Sequence, residues 1–496
     1  MDLGSTAVDT KPDRQWRFQR GDWLATAFIL VTALIVRGIW IGDPASDLDE
    51  QLYSFIGWRM THGELPYVDW WDRKPFGLFA IFALAHAIGG PESAAYQLLA
   101  LIFALVGAAV TYDLARRLVD PFAAAFAASL GLILTAGFGA QSGNSEVFFV
   151  PLTLIMLWLL SQPDHRHSSQ RRILAMLVGG LALQVKYTVL PICIAFGIVA
   201  LWQEWQRNRQ FANLVRSAFL FALAGLIPTI LVGLFYLASG YWEDWFFANF
   251  VSFFDRLPAP LGRWTPRYIA ASAPFLLMYV GGLYAARRFA PPKDPALYIL
   301  FVVYGLATIG GVFLPSTVYL YYFAAFAGPA PLLALPLLDR RGPGGPFPAI
   351  VLFFLFAFMI NVPARTAQSQ LQRTSVVSFA EAISPHVDSR SRCMWIHDGP
   401  TVLYRLTGSC VPTKFVYPDH LNNALETPAI GIDQTAEVIR ILATRPPVIV
   451  SADHAVTVQN EQARAIVQDT LARDYVPFTK AKVTGRAITA WVRREP

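Results

Sequence analysis

Long apolar runs recur along the first 361 positions, interrupted by short polar loops, and after about Asn361 the pattern changes to short apolar stretches set among polar residues. A bilayer span needs about 20 consecutive apolar residues. Runs that meet or approach this length are Trp23–Ile41 and roughly 94–116, 121–138, 146–161, 172–185, 188–203, 217–238, 268–286, 296–314, 319–337 and 346–361. No small-residue cleavage site follows the first run, which therefore reads as an uncleaved span preceded by a polar segment carrying Lys11, Arg14, Arg17 and Arg20. Beyond residue 361, strand-like runs (Cys393–His397, Val448–Ser451, Ile488–Val492) alternate with helical patterns (Thr435–Ala443, Gln459–Ala472), as in a small α/β domain.

Basic residues orient the spans. The loops with Arg116 and Arg117, with Arg166, Arg171 and Arg172, with Arg207, Arg209 and Arg216, with Arg287, Arg288 and Lys293, and with Arg340 and Arg341 belong on the cytoplasmic side. The apolar segment Phe76–Gly90 has only 15 residues, and a crossing there would turn every one of these loops outward. It is expected to be an interfacial or re-entrant helix within the first outer loop. The expected fold is thus an α-helical polytopic membrane protein with about 11 transmembrane helices, interfacial helices in the outer loop 42–93, and a periplasmic α/β domain at 362–496. Residues 1–361 form the membrane domain, with the N-terminus cytoplasmic, in a bacterial inner membrane.

Composition agrees: 55% of residues are hydrophobic and 15% charged, against roughly 25% charged in soluble chains, and mean hydropathy is +0.42. Disordered, fibrous and disulfide-scaffold proteins are excluded. The net charge of +6 comes without a basic domain or recognition motif, so no nucleic-acid partner is expected. Cys193 lies in an apolar run, while Cys393 and Cys410 are free to pair if their region faces an oxidising compartment.

The spans carry almost no charge apart from Arg37, whereas the first outer loop holds Asp47, Asp49, Glu50, Glu64, Asp69, Asp72, Arg73 and Lys74. Asp49 and Glu50 begin a segment whose Leu52, Phe55, Ile56 and Met60 share one helical face, which predicts a helix lying along the membrane surface. For Asp47, Asp49 and Glu50 two readings stand: helix capping, or a general base or metal ligand facing the outer leaflet. Only three lysines fall between residues 22 and 361, namely Lys74, Lys186 and Lys293, and the first two are placed outside. Lys186 sits at the outer tip of two short helices, where its ammonium needs an anion: a salt bridge to Glu146 or Asp49, or a lipid phosphate. Glu146, at the outer start of a span, is a second candidate acid. In the aromatic-rich loop 239–267, Arg256 and Arg263 are candidate phosphate contacts.

Asp49, Glu50 and Tyr53 form D-E-x-x-Y after the first span; Gly63, Pro66, Tyr67 and Asp69 follow, then Lys74-Pro75, with Glu146 on a later outer loop. This order and spacing resembles the GT-C superfamily of integral-membrane glycosyltransferases, in the branch of the protein O-mannosyltransferases and the lipid A aminoarabinose transferase. The resemblance implies a polyprenyl-phosphate sugar donor, a hexosyl or pentosyl group transferred outside, and an envelope glycan, glycolipid or protein as acceptor. It places Asp49 as base or metal-coordinating acid, Lys74 on the donor phosphate and Glu146 as the second acid; Arg73, Lys186, Arg256 and Arg263 are read from the sequence as further cations for that phosphate. Tyr53, Tyr67 and Asp69 fall in the substrate-binding stretch. A divalent ion (Mg, Mn or Zn) held by Asp49 and Glu146 is a further expectation, weakened because Arg73, not an acid, precedes Lys74. A transporter or flippase of lipid-linked sugars is the principal rival; it calls for ionisable residues near the midplane. A second rival is a scaffold whose C-terminal domain binds cell-wall polymer.

Overall fold

The computed structural model describes residues 20–162, 168–259, 265–315, 317–342 and 344–494. Arg263 lies outside them, as do Lys11, Arg14, Arg17 and Arg166. Helices occupy ten of the eleven expected span positions. In chain order the helices are α1 (Arg20–Arg37), α2 (Leu48–Met60), α3 (Phe76–Gly89), α4 (Ser93–Arg116), α5 (Pro121–Gly137), α6 (Ser145–Leu160), α7 (Ser168–Leu183), α8 (Leu190–Arg207) and α9 (Phe211–Ala238). The short α10 (Trp242–Phe246) and α11 (Ser252–Asp255) flank a π-helical turn at Phe247–Val251. Then come α12 (Thr265–Arg288), α13 (Pro295–Phe313), α14 (Pro329–Leu333), α15 (Leu335–Leu338), α16 (Phe347–Ile360) and α17 (Val362–Ile383). Among the described residues, seven helices are long and apolar enough to cross a membrane, and the shorter apolar α3, α5 and α6 accompany them.

The expected span at 319–337 is not a helix of that length. The chain there runs as a 3-10 segment (Leu320–Ala327) and then α14 and α15. Pro329, Pro331 and Pro336 remove the amide donors that a continuous helix requires. Gly328 is needed at the break, because a Cβ there would meet the Tyr304 hydroxyl at 2.2 Å. This interruption sets Tyr319, Tyr321 and Tyr322 along the cavity described below rather than in a helical wall.

Nor does α2 lie on a surface. Every residue from Glu50 to Gly57 is buried, on all faces of the helix. Gly57 lets α3 approach: a Cβ at that position would sit 2.6 Å from Phe82. Phe55 meets Trp70 edge to face at 4.8 Å, a contact worth about 0.5–1.5 kcal/mol beyond area burial. The amphipathic pattern failed as a guide because the C-terminal domain and the outer loop cover the face that was expected to be wet.

That domain contains α18 (Leu403–Thr407), α19 (Pro418–Asn422), α20 (Gln434–Ala443) and α21 (Glu461–Asp474) around a four-stranded sheet of order β1-β2-β4-β3. β1 (Trp395–Ile396) runs parallel to β2 (Val448–Ala452), and β4 (Arg486–Arg493) is antiparallel to both β2 and β3 (Tyr475–Val483). β3 was not anticipated, since Pro477 interrupts its pattern. The β3–β4 turn uses Thr484 and Gly485, both at positive φ (50° and 82°), as a tight hairpin of right-handed twist requires. Cys393 and Cys410 are disulfide-bonded, with Cα atoms 4.6 Å apart.

The domain is fastened to the first outer loop by backbone and side-chain bonds. The Trp71 N–H donates to the Lys414 carbonyl (3.0 Å), and the Val402 N–H to the Gln51 side-chain oxygen (3.2 Å). The polar helix α17 carries the chain up from the bundle and packs along β3.

Candidate active site

Asp47 caps α2: its Oδ1 accepts the N–H groups of Asp49 (2.9 Å) and Glu50 (3.2 Å). Burial beside Asp49 and Glu50 pushes its own carboxyl well above the usual range. Successive helical residues point about 100° apart, and this separates the next two acids. Asp49 faces a cavity; Glu50 points back into the protein, where it accepts the Gly143 N–H (2.6 Å), the Tyr96 hydroxyl (3.1 Å) and the Ser46 hydroxyl. Arg37, buried at the end of α1, holds the same 140–142 loop through the carbonyls of Ala140, Gln141 and Ser142. Glu50 is thus a clamp between α2 and the loop before α6, not a group facing substrate.

The cavity has a volume of about 480 Å³ and is lined by Asp47, Asp49, Asp72, Arg73, Lys74, Lys186, Arg256, the tyrosines 319, 321 and 322, and Tyr417, Asp419, His420 and Glu426. Asp49 is oriented by two phenols: Tyr53 donates to Oδ2 (3.2 Å) and Tyr417 to Oδ1 (3.0 Å). Lys74 forms no ion pair among the described residues, and its ammonium lies 5.4 Å from the centre of the Tyr53 ring. Burial works against its charge, but Asp72 and Asp49 outweigh this and raise its pKa, so it stays an ammonium. Asp72 caps the turn by accepting the Lys74 N–H (2.8 Å); burial opposes its charge too, yet Lys74 and Arg73 hold its carboxyl below the ordinary range. Tyr67, at φ +70°, donates to the Lys74 carbonyl (2.8 Å) and so fixes the lysine's backbone from behind.

Arg73 and Arg256 converge on one carboxylate, Glu426 of the C-terminal domain; the Arg256 Nε is 2.6 Å from its Oε1. Arg256 also donates to the Tyr319 hydroxyl at 2.6 Å. Burial and the neighbouring Arg256 bring the Arg73 pKa down to about 10. Lys186 is engaged by Glu146, behind the cavity wall, and stacks against Tyr322 at 4.0 Å from the ring centre. The salt-bridge reading of Lys186 is therefore the one observed.

Glu146 has its second oxygen bonded by the Ser145 hydroxyl (2.9 Å). It does not line the cavity. Among the described residues no three His, Cys, Asp or Glu side chains are grouped to hold a metal ion. With Glu146 occupied by an ammonium and both Asp49 oxygens by phenols, this pair does not fit as a metal donor set. Asp69 is exposed and accepts the Leu65 N–H (2.7 Å), so it shapes the loop away from the cavity. Tyr53 and Tyr67 meet the cavity residues by their hydrogen bonds to Asp49 and to the Lys74 carbonyl.

The residues that the sequence reading passed over come from two places. Tyr319, Tyr321 and Tyr322 stand at the head of a run read as a span, where three tyrosines in four positions were the available signal. Tyr417, Asp419, His420 and Glu426 belong to the C-terminal domain, and no spacing relates them to the first loop. Burial, with Asp398 and Asp49 nearby, pushes the Asp419 carboxyl up to about 6, and burial lowers the His420 imidazole to about 3, so that it is neutral.

Residues 73–234 match the family model described as dolichyl-phosphate-mannose-protein mannosyltransferase, a stretch that includes Arg73, Lys74, Glu146 and Lys186. No curated protein matches the chain by sequence. Among solved structures the chain is similar to ArnT from Cupriavidus metallidurans bound to undecaprenyl phosphate, with a TM-score of 0.67 and 14% identity over 95% of this chain and 98% of that one. The apo form of the same protein gives a TM-score of 0.63 at 14% identity, covering 94% and 98%. At this identity the likeness is one of fold, and it extends over the membrane bundle and the C-terminal domain together. The stretch that matches the mannosyltransferase model, residues 73–234, lies within that shared fold.

Proposed function

We propose that the protein transfers a sugar from a polyprenyl-phosphate donor to an acceptor hydroxyl on the periplasmic side of a bacterial inner membrane, with inversion at the anomeric carbon. The observation that carries this reading is one cavity lined both by a carboxylate, Asp49, and by three cations, Lys74, Arg73 and Arg256, of which Lys74 has no ion pair among the described residues. The undecaprenyl phosphate bound to the ArnT of similar fold supports the donor class.

The acceptor oxygen attacks the anomeric carbon while Asp49 takes its proton. The bond from that carbon to the phosphate oxygen breaks, its electron pair stays with the phosphate, and the lipid phosphate leaves with one more negative charge. Lys74, with Arg73 and Arg256, faces that developing charge in a low-dielectric site where fixed cations act strongly. The phenols of Tyr53 and Tyr417 hold the carboxylate in position, so that little reorganisation accompanies the proton transfer. The acceptor is an envelope glycan, glycolipid or protein.

A positioned base contributes about 10²–10⁴-fold. Radiolabelled sugar transfer from polyprenyl-phosphate donors in proteoliposomes is expected from the wild type and is lowered by this factor in Asp49→Ala. Wild-type turnover in that variant would remove Asp49 as the base, and no transfer by the wild type from any such donor would remove the transferase reading.

A further inference from the structure

The arginines of the cavity are not bare. Arg73 from the first outer loop and Arg256 from the segment after α11 reach it from separate parts of the membrane domain, and both pair with Glu426, which the C-terminal domain inserts between them. Glu426 is 5% exposed. Its backbone is built for the position: it ends a 3-10 turn (Ala424–Glu426) capped by the Asn423 side chain, which accepts the Leu425 N–H (3.0 Å). The turn is bonded to the Arg256 segment on both sides, by the Leu257 N–H to the Leu425 carbonyl (3.1 Å) and by the Ser252 hydroxyl to the Ala429 carbonyl (2.5 Å). A buried carboxylate on a turn anchored by three hydrogen bonds is not a surface charge that happened to fall near two arginines. A site meant only to attract the largest anionic charge would leave it out.

The charge of the lipid phosphate changes during the proposed reaction, on which this inference rests. The donor is a phosphodiester with one negative charge. The departing monoester carries about −1.5 to −2 near neutral pH if its second pKa is near 6, as for phosphorylated side chains. Arg73, Arg256 and Lys74 supply three positive charges; Glu426 between the arginines and Asp72, held ionised beside Lys74, offset two of them and leave a single net positive charge. We infer that Glu426 is a specificity-determining counter-ion that matches the phosphate site to the singly charged diester and disfavours retention of the doubly charged product. It touches neither the reacting carbon nor the acceptor proton; it acts through Arg73 and Arg256.

The test uses the full-length protein in nanodiscs, with undecaprenyl phosphate and its methyl phosphodiester as probes. Glu426→Gln is expected to strengthen monoester binding relative to diester binding by about tenfold or more, the size of effect that one charge a few ångströms away produces at an effective dielectric near 20. In transfer assays the same variant shows stronger product inhibition, and kcat falls more than the donor KM changes. Glu426→Asp, which keeps the charge, restores the wild-type ratio and serves as the control for folding. An unchanged monoester-to-diester ratio in a Glu426→Gln protein of wild-type melting temperature overturns the inference, as does a Glu426→Asp variant that behaves like Glu426→Gln. The binding ratio needs no turnover, so it is decided separately from whether the wild type transfers sugar at all.

Discussion

Two lysines stand out by their rarity, and the structure uses them in opposite ways. Lys186 lines the cavity but is already occupied: Glu146 takes its charge, Tyr322 covers it, and only 4% of it is exposed. Lys74 is open, with Asp72 and Asp49 near enough to keep it charged but no ion pair among the described residues to occupy it. A buried ammonium with a dedicated carboxylate contributes to the architecture of the bundle. One that faces a cavity without such a partner is available to an anion brought in from outside. The pairing state, more than the residue type or its burial, separates the occupied corner from the open one.

Three experiments bear on that contrast. The largest effect is expected on the occupied side. Glu146→Gln leaves a buried charge without its partner and should cost about 3–5 kcal/mol of stability, read as a lowered melting temperature in detergent, and Glu146→Gln with Lys186→Met should regain most of it. A raised donor KM with unchanged melting would instead place Lys186 with the substrate.

Next comes the cost of leaving charge in the open cavity. Asp419, on the wall supplied by the C-terminal domain, has a folded pKa of about 6 against 3.8 for a free aspartate. The folded state therefore binds the extra proton between these values, and stability should fall as pH rises from about 4 to 6. The loss is at most about 3 kcal/mol, from 1.36 kcal/mol per unit. Asp419→Asn should abolish this fall and be the more stable protein at pH 7.5. Parallel melting curves for the two proteins from pH 4 to 7.5 would contradict it.

The smallest effect belongs to Lys74→Ala. Loss of a charged contact worth about 1.5–3 kcal/mol corresponds to a donor KM raised roughly 10- to 100-fold, with melting little changed. Asp69→Ala, altering a loop acid that faces away from the cavity, is the control and should stay within about twofold of wild-type transfer. Unaltered donor dependence in Lys74→Ala would make the two lysines alike and dissolve the comparison.

Much of the membrane domain is legible in the order of residues. A helix that must satisfy its own backbone in lipid declares itself by an apolar run, and ten of eleven such runs became helices. The exception, 319–337, shows what hydropathy cannot weigh: Pro329, Pro331 and Pro336 leave the run as apolar as its neighbours while removing the amides that a helix needs. Rarity and local motif pointed to Asp49, Arg73 and Lys74, and all three line the cavity. Those signals did not distinguish Asp49 from Glu50, because adjacent residues with the same charge take different directions only once α2 is packed.

What the chain determined by itself is therefore local: where helices run, which loop concentrates acids and lysines, and that a disulfide was available to Cys393 and Cys410. Tertiary structure decided which charges stay open. Tyr417, Asp419, His420 and Glu426 lie more than 300 residues from Asp49 and Lys74, and nothing in either stretch encodes the other. Only the docking of the C-terminal domain on the first loop sets Tyr417 on Asp49 and Glu426 between two arginines. Charge pairing acts over a few ångströms of space whatever the separation along the chain, so it cannot be read before the fold has brought the partners together.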